Sequence, residues 1–478
     1  MTPPAARAAR AVLLVGIALA CWSAGRASAA PRTSQSTTDS VTISRVLDLL
    51  RASDSTVCEL AGRALAGGYG SGGIPTDNAM VLSVSAMRRR DIAGTPALGV
   101  FRVAVRDPNR CVRNIAAQVV ADADSNAYAM FAGLLSDRDA GLRETGALGV
   151  GALSDERAIP ALTKTVKDAD LRVRVMSAWA LGETEDVGAV TALDGALGDD
   201  AVTVRVAAAR GLGNIEEKSA IEPLARALKD ASPDVRRTAA WALGQIEDSA
   251  SVRPLSAALH DSDAGVRATA VWALGQIEDE SAVAPLAALL KDADPSVRRM
   301  SGWALGQIEA KSAVPPLTQA LSDRDVEVRE VAVWALGQIE SPSSVPALLP
   351  VLKDKEPDVR ETAAWALGQI ESADAIDGLK AALADPSPDV QQTAAWALAQ
   401  IDDDRARAAV SQWGPFARGR GPHPRIAFEG MPFPMPMPMP MPEPNGGVFH
   451  VRVHPHPHPH PHPHVRVHTN VHVSTDVR

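Results

Sequence analysis

The chain lacks a basic excess, a second long apolar run and an abundance of aromatic rings, and each absence excludes something. Its 48 Lys and Arg stand against 57 Asp and Glu, a formal charge of −9, with both signs interleaved through the middle of the chain. No basic footprint for nucleic acid results. Beyond residues 11–22 (AVLLVGIALACW) no stretch approaches the roughly 20 apolar residues of a spanning helix, so no membrane span is expected. Aromatic residues make up 4% of a chain that is 46% hydrophobic, so the apolar surface is mostly Ala, Leu and Val, a mixture that suits helices.

The first 29 residues place Arg7 and Arg10 before that apolar run and end it with ASA at Ala29. This is the layout of a secretory signal peptide (1–29), and it predicts an exported protein, periplasmic or secreted. Of the three cysteines only Cys58 and Cys111 would remain after cleavage. They fall in different units, and helices stack about 8–10 Å apart, so the two are expected as unpaired small core residues despite an oxidising compartment.

What is present is a period. WALGQIE occurs at 241–247 and returns at 272, 303, 334 and 365, an interval of 31. An aspartate column runs Asp168, Asp199, Asp230, Asp261, Asp292, Asp323, Asp354 and Asp385. A Val-Arg column ends at Arg174, Arg205, Arg236, Arg267, Arg298, Arg329 and Arg360, with Gln391 closing it. Within one unit, SASVRPLSAAL (249–259) reads as a short helix with Pro254 in its opening turns, and GVRATAVWALGQIE (265–278) as a second helix capped by the aspartates between them. Val266, Ala270, Ala273, Leu274 and Ile277 share a sector of about 100° on the second helix. One hairpin cannot cover that stripe, so neighbours must stack. The expected fold is all-α: an α-solenoid of about ten stacked helical hairpins over 96–402. A degenerate N-terminal helical cap (30–95) is expected before it, and a disordered Pro/Met/His-rich tail (403–478) after it. The turn aspartate and the following arginine are expected to form a ladder of charge-assisted hydrogen bonds. Gly275 and its equivalents cost about 1 kcal/mol each inside a helix and predict close approach of a neighbouring helix.

The pattern of Asp, then Val-Arg, then Ala-Ala-x-Ala-Leu-Gly-x-Ile at this period resembles the short bacterial HEAT-like repeats of phycobilin lyase subunits and deoxyhypusine hydroxylase, over roughly two thirds of the chain. The resemblance implies that second helices line a concave wall and that the variable x positions bind. Here those positions hold Trp179, Trp241, Trp272, Trp303, Trp334, Trp365 and Trp396, and Gln245, Gln276, Gln307, Gln338 and Gln369. Deoxyhypusine hydroxylase holds iron through His-Glu pairs, and no His-Glu dipeptide occurs in this chain.

Trp272 lies about 150° from the centre of the core stripe. Two readings follow. Either each indole packs across the boundary between units, or the seven form an exposed aromatic track, spaced about 10 Å apart. One polyproline turn advances about 9.3 Å, so a proline-rich peptide would nearly match such a track. The chain carries one, MPFPMPMPMPMPEP (431–444) followed by HPHPHPHPHPH (454–464), and its docking back into the groove is a further expectation.

That tail also carries ligands. His454, His456, His458, His460, His462 and His464 suit copper, zinc or nickel, and the thioethers of Met435, Met437, Met439 and Met441 suit Cu(I), in loose and exchanging sites or else as a mere spacer. VFHVRVH (448–454) and VRVHTNVHVSTDV (465–477) alternate as strands do. No HExxH, phosphate loop or catalytic Cys/His neighbourhood is found. The function expected is therefore a non-enzymatic envelope scaffold that binds a protein or extended peptide on the Trp and Gln positions and requires no cofactor. Metal binding by the tail, and a lyase or oxidoreductase-like accessory role as in the resembled families, are the alternatives.

Overall fold

The computed structural model describes residues 40–52 and 92–411, all in helices and turns. The signal-like segment, Cys58, and every His and Met of the tail singled out above lie outside these residues.

Ten helical hairpins follow one another. In units 1 to 5 the first and second helices are Pro96–Ala104 and Arg110–Ala123, Tyr128–Leu134 and Ala140–Ala152, Ile159–Thr165 and Leu171–Gly182, Val190–Ala196 and Val202–Ile215, and Ile221–Ala227 and Pro233–Gln245. Units 6 to 10 continue with Val252–Ala258 and Ala264–Ile277, Val283–Leu289 and Pro295–Ile308, Val314–Ala320 and Val326–Gln338, Val345–Leu348 and Pro357–Ile370, and Ile376–Ala382 and Pro388–Gln400. Ser40–Ala52 packs on the first unit through Ile43, Leu47 and Leu50, all buried, and Arg51 donates to Asp107. Asp404–Ala409 closes the other end, with Ala406 buried.

Local chemistry sets each boundary. Asp263 accepts the Val266 amide at the start of its helix, and Asp294 accepts that of Ser296. The last letter of WALGQIE ends the helix: Glu247, Glu278, Glu309, Glu340 and Glu371 all sit in the left-handed region, φ 50 to 55°, a position glycine usually fills. A short 3₁₀ turn then leads into the next first helix.

The arginine ladder joins neighbours. Arg267 donates Nη1 to the Asp261 carbonyl of its own unit at 2.9 Å, then forks Nε and Nη2 onto the Asp292 carboxylate of the next, both at 2.8 Å. The same rung runs from Arg143–Asp168 to Arg360–Asp385. Gln391, in the last hairpin among the described residues, makes the bond to its own unit, Nε2 to the Asp385 carbonyl at 2.6 Å. The sequence placed the aspartate and arginine correctly; the structure shows that the carboxylate serves the preceding unit's arginine.

Consecutive second helices pack directly on one another, whereas each first helix meets the next unit mainly through its 3₁₀ turn. Open grooves accordingly lie between first helices, one of them lined by Ala287, Lys291, Pro316, Gln319 and Arg324. The tighter layer must be the inside of the curve, so the second helices form the inner wall.

Candidate functional site

The inner wall is one face of ten second helices. On each, residues at steps of three or four and seven share that face; in unit 9 they are Asp358, Glu361, Thr362, Trp365 and Gln369. The indoles do not stand open on it. Trp179, Trp241, Trp303, Trp365 and Trp396 retain between 5% and 9% of their surface, and Trp272 and Trp334 are half-buried against the core. A Cβ built on Gly275 would lie 2.7 Å from Trp303 Cζ3 and 3.0 Å from Ala304 Cβ. Gly213, Gly244, Gly306, Gly337 and Gly368 meet the following unit's indole in the same way, within 3.0 Å. Each tryptophan is thus packed into the seam that the preceding glycine vacates. The aromatic track is corrected accordingly: five of the seven indoles are closed off by the neighbouring hairpin, and the half-buried Trp272 and Trp334 do not make a continuous row of open ring faces.

A helical projection allows for one buried stripe, but a second helix here is covered by its own first helix and by second helices on both sides. Thr269 (1% exposed), Ala268 and Val271 are buried along with Val266, Ala270, Ala273 and Leu274, while Ile277 is only half-buried. The glutamines Gln245, Gln276, Gln307, Gln338 and Gln369 remain half-exposed one turn beyond the indoles. With the half-buried Trp272 and Trp334, they are the part of the predicted binding set that solvent and a partner still reach.

The wall changes chemistry at the one gap in the tryptophan column. There Arg210 replaces the indole, and Glu183 and Asn214 replace glutamines. Asn214 Nδ2 donates to Glu183 Oε1 at 3.2 Å, and the Trp179 indole donates to the same carboxylate. Burial pushes Glu183 up to about 7, with the nearby Arg210 guanidinium pulling the other way. Burial likewise lowers Arg210, whose Nε has no hydrogen-bond partner. The seam tightens at this point: a Cβ on Gly182 would lie 2.3 Å from Gly211 Cα.

Further along, the sign of the wall turns. Units 3 to 7 carry four arginines on this face (Arg172, Arg210, Arg237, Arg299) with Glu183 and Asp234, whereas units 8 to 10 carry five acids (Glu327, Glu330, Asp358, Glu361, Asp389) and no Lys or Arg. Arg299 reaches across the junction and pairs with Glu327. Burial and the adjacent Asp358 and Glu361 carboxylates raise Glu330 to about 7, against a hydrogen bond from Thr362. These acids were not singled out from sequence. The signal was present in the residues one turn before each tryptophan, which differ between units while their neighbours repeat.

Among the described residues no group of three His, Cys, Asp or Glu side chains is arranged to hold a metal, and no helix is long and apolar enough to cross a membrane. His260 is exposed in its turn. Cys111 is in a disulfide, which corrects the expectation of free cysteines; its partner lies outside the described residues.

Stacked hairpins, an inter-unit ladder and a variable inner wall define an α-solenoid of the repeat class that presents one long surface. The chain belongs to the HEAT-repeat family: HEAT repeats match residues 129–205, 194–275, 252–325, 314–399 and 345–413, together more than half its length. No curated protein matches it. Among solved structures, yeast importin-beta (Kap95p) is similar at 13% identity, covering 79% of this chain and 63% of that one, with a TM-score of 0.52. YibA of E. coli (21% identity, 51% and 92% coverage, TM-score 0.38) and human deoxyhypusine hydroxylase (25% identity, 53% and 99% coverage, TM-score 0.26) also match.

Proposed function

We propose that this protein is a non-enzymatic scaffold that holds a protein partner along its inner wall, and that it works outside the cytoplasm. The observation that carries the reading is the contrast between a frame that repeats and a wall face that does not: the same helices, ladder and seams present arginines in units 3 to 7 and carboxylates in units 8 to 10. A surface whose polar residues vary on a fixed frame suits recognition of one partner by charge complementarity. Kap95p, of the same fold, binds RanGDP. The signal-like start and the disulfide at Cys111 support an oxidising compartment.

The contact residues shift from the tryptophans first considered, most of which are buried, to the polar groups of the wall: Arg172, Arg237, Glu327, Asp358 and the five glutamines are among its exposed or half-exposed side chains. The test is quantitative capture of envelope proteins by the full chain, by Arg237→Glu with Asp358→Lys, and by Lys291→Glu with Arg324→Glu in the first-helix groove. A partner lost with the wall pair and kept with the groove pair supports the assignment. Equal capture by all three rejects it. For the tail, loose copper, zinc or nickel binding by the His-Pro and Met-Pro tracts is a second role; calorimetric titration should give binding that disappears when residues 431–478 are deleted.

A further inference from the structure

The inner wall of units 8 to 10 is a helix face with one sign of charge. Glu330, Asp358 and Asp389 make no ion pair among the described residues, and Glu330 and Asp358 are close enough to repel each other. At the upstream edge of the same face a guanidinium is already seated, Arg299 on Glu327, so the wall accepts this group between adjacent second helices. The face therefore suits an extended cationic segment that lays further guanidinium groups across the seams. Planar guanidinium forks match carboxylates better than ammonium does.

One such segment is tethered beside it. The described chain stops at Ser411, just past the last unit, and residues 412–425 read QWGPFARGRGPHPR: three arginines, one histidine and no acid. Arg418, Arg420 and Arg425 lie 7, 9 and 14 residues beyond Ser411. At about 3.3 Å per extended residue they reach roughly 23 to 46 Å. Units are spaced about 10 Å apart, so Asp389, Asp358 and Glu330 fall within that reach. Tethering also raises the segment's effective concentration at the wall to about the millimolar range, which favours it over a free peptide of the same charge.

We propose that residues 412–425 of this chain dock on the acidic inner wall of units 8 to 10, with Arg418, Arg420 and Arg425 pairing with Glu330, Asp358, Glu361 and Asp389. The contact is electrostatic and does not use the indole faces. The docking stands whether or not the scaffold reading does.

Zero-length carbodiimide crosslinking of the full chain carrying Arg420→Lys tests it, because the amine introduced at position 420 joins only to a carboxylate in contact with it. The expected product links position 420 to Glu330, Asp358, Glu361 or Asp389 within one molecule, at a yield independent of protein concentration. Adding Glu330→Gln and Asp358→Asn, or 0.5 M salt, should lower that yield about fivefold or more, since salt at this level screens charges beyond a few ångströms. Links scattered over acids outside this wall, links that grow with concentration and join two copies, or a yield no greater than in denaturant would each overturn the proposal.

Discussion

The two long surfaces of this solenoid are built from the same helices and behave oppositely. Along the turn edge the chemistry is constant: from Arg143–Asp168 to Arg360–Asp385 every rung uses the same atoms at closely similar distances. Along the inner wall the residues one turn before the tryptophans run Val175, Val206, Arg237, Ala268, Arg299, Glu330, Glu361 and Gln392. An array is stable as a sum over units and their interfaces, so each interface must be sound, and repeating one solution is the simplest way to secure this. The wall carries no such burden and is free to vary. The tryptophans, expected on the variable side, belong to the constant one.

The largest effect should come from attacking the constant side at its seam. Trp303→Ala removes an indole that is 93% buried against Gly275 and is expected to cost about 3–5 kcal/mol by thermal or urea unfolding. Trp272→Ala, at a half-buried indole, should cost less. If the two variants melted like the parent, the indoles would be surface groups and the division drawn above would fail. Next comes the ladder: Asp292→Asn weakens two forked bonds from Arg267 and is expected to cost about 1–3 kcal/mol. The rung also predicts acid sensitivity. Arg143 hydrogen bonds hold Asp168 below its ordinary range, so its contribution is present above the unfolded carboxylate pKa near 4 and is lost as pH falls through the lower folded value.

The wall predicts the opposite pH response. Glu183 is raised to about 7, so the folded state prefers it protonated, and its contribution is full below the unfolded value near 4.5 and is lost as pH rises towards 7. Glu183→Gln, which restores the residue this column holds elsewhere, should make the fall in melting temperature between pH 5 and 8 shallower, leaving the part due to Glu330, and raise the melting temperature at pH 8. A parent whose melting temperature does not fall across that window would show that Arg210 compensates the buried carboxylate fully.

Much of this was legible before the structure. The period, the hairpin, the close approach at Gly275 and the pairing of aspartate with arginine follow from residue types recurring in register, and periodic signals average out local ambiguity. The indole orientation was not legible, because a helical projection orders positions around an axis without saying how many neighbours surround it. Nor was the direction of the ladder, since Asp261 lies close in sequence to Arg267 and only stacking shows that Asp292 is the nearer carboxylate. The acidic stretch is written in the wall columns, which vary from unit to unit between the invariant letters that carry the period.

The smallest effect concerns a residue that repeats with the frame although its type is poorly suited to its backbone. Glu278 ends its helix at φ 55°, where a side chain crowds the following carbonyl and glycine does not. Glu278→Gly relieves that crowding but lets the unfolded chain explore more conformations, and the two terms oppose each other. The net gain is expected below about 1 kcal/mol, a small rise in melting temperature with no change in capture by the wall. A loss instead would mean that the glutamate makes a contact worth more than the strain it bears, and that the final letter of WALGQIE is held by its side chain, like the tryptophan that begins it.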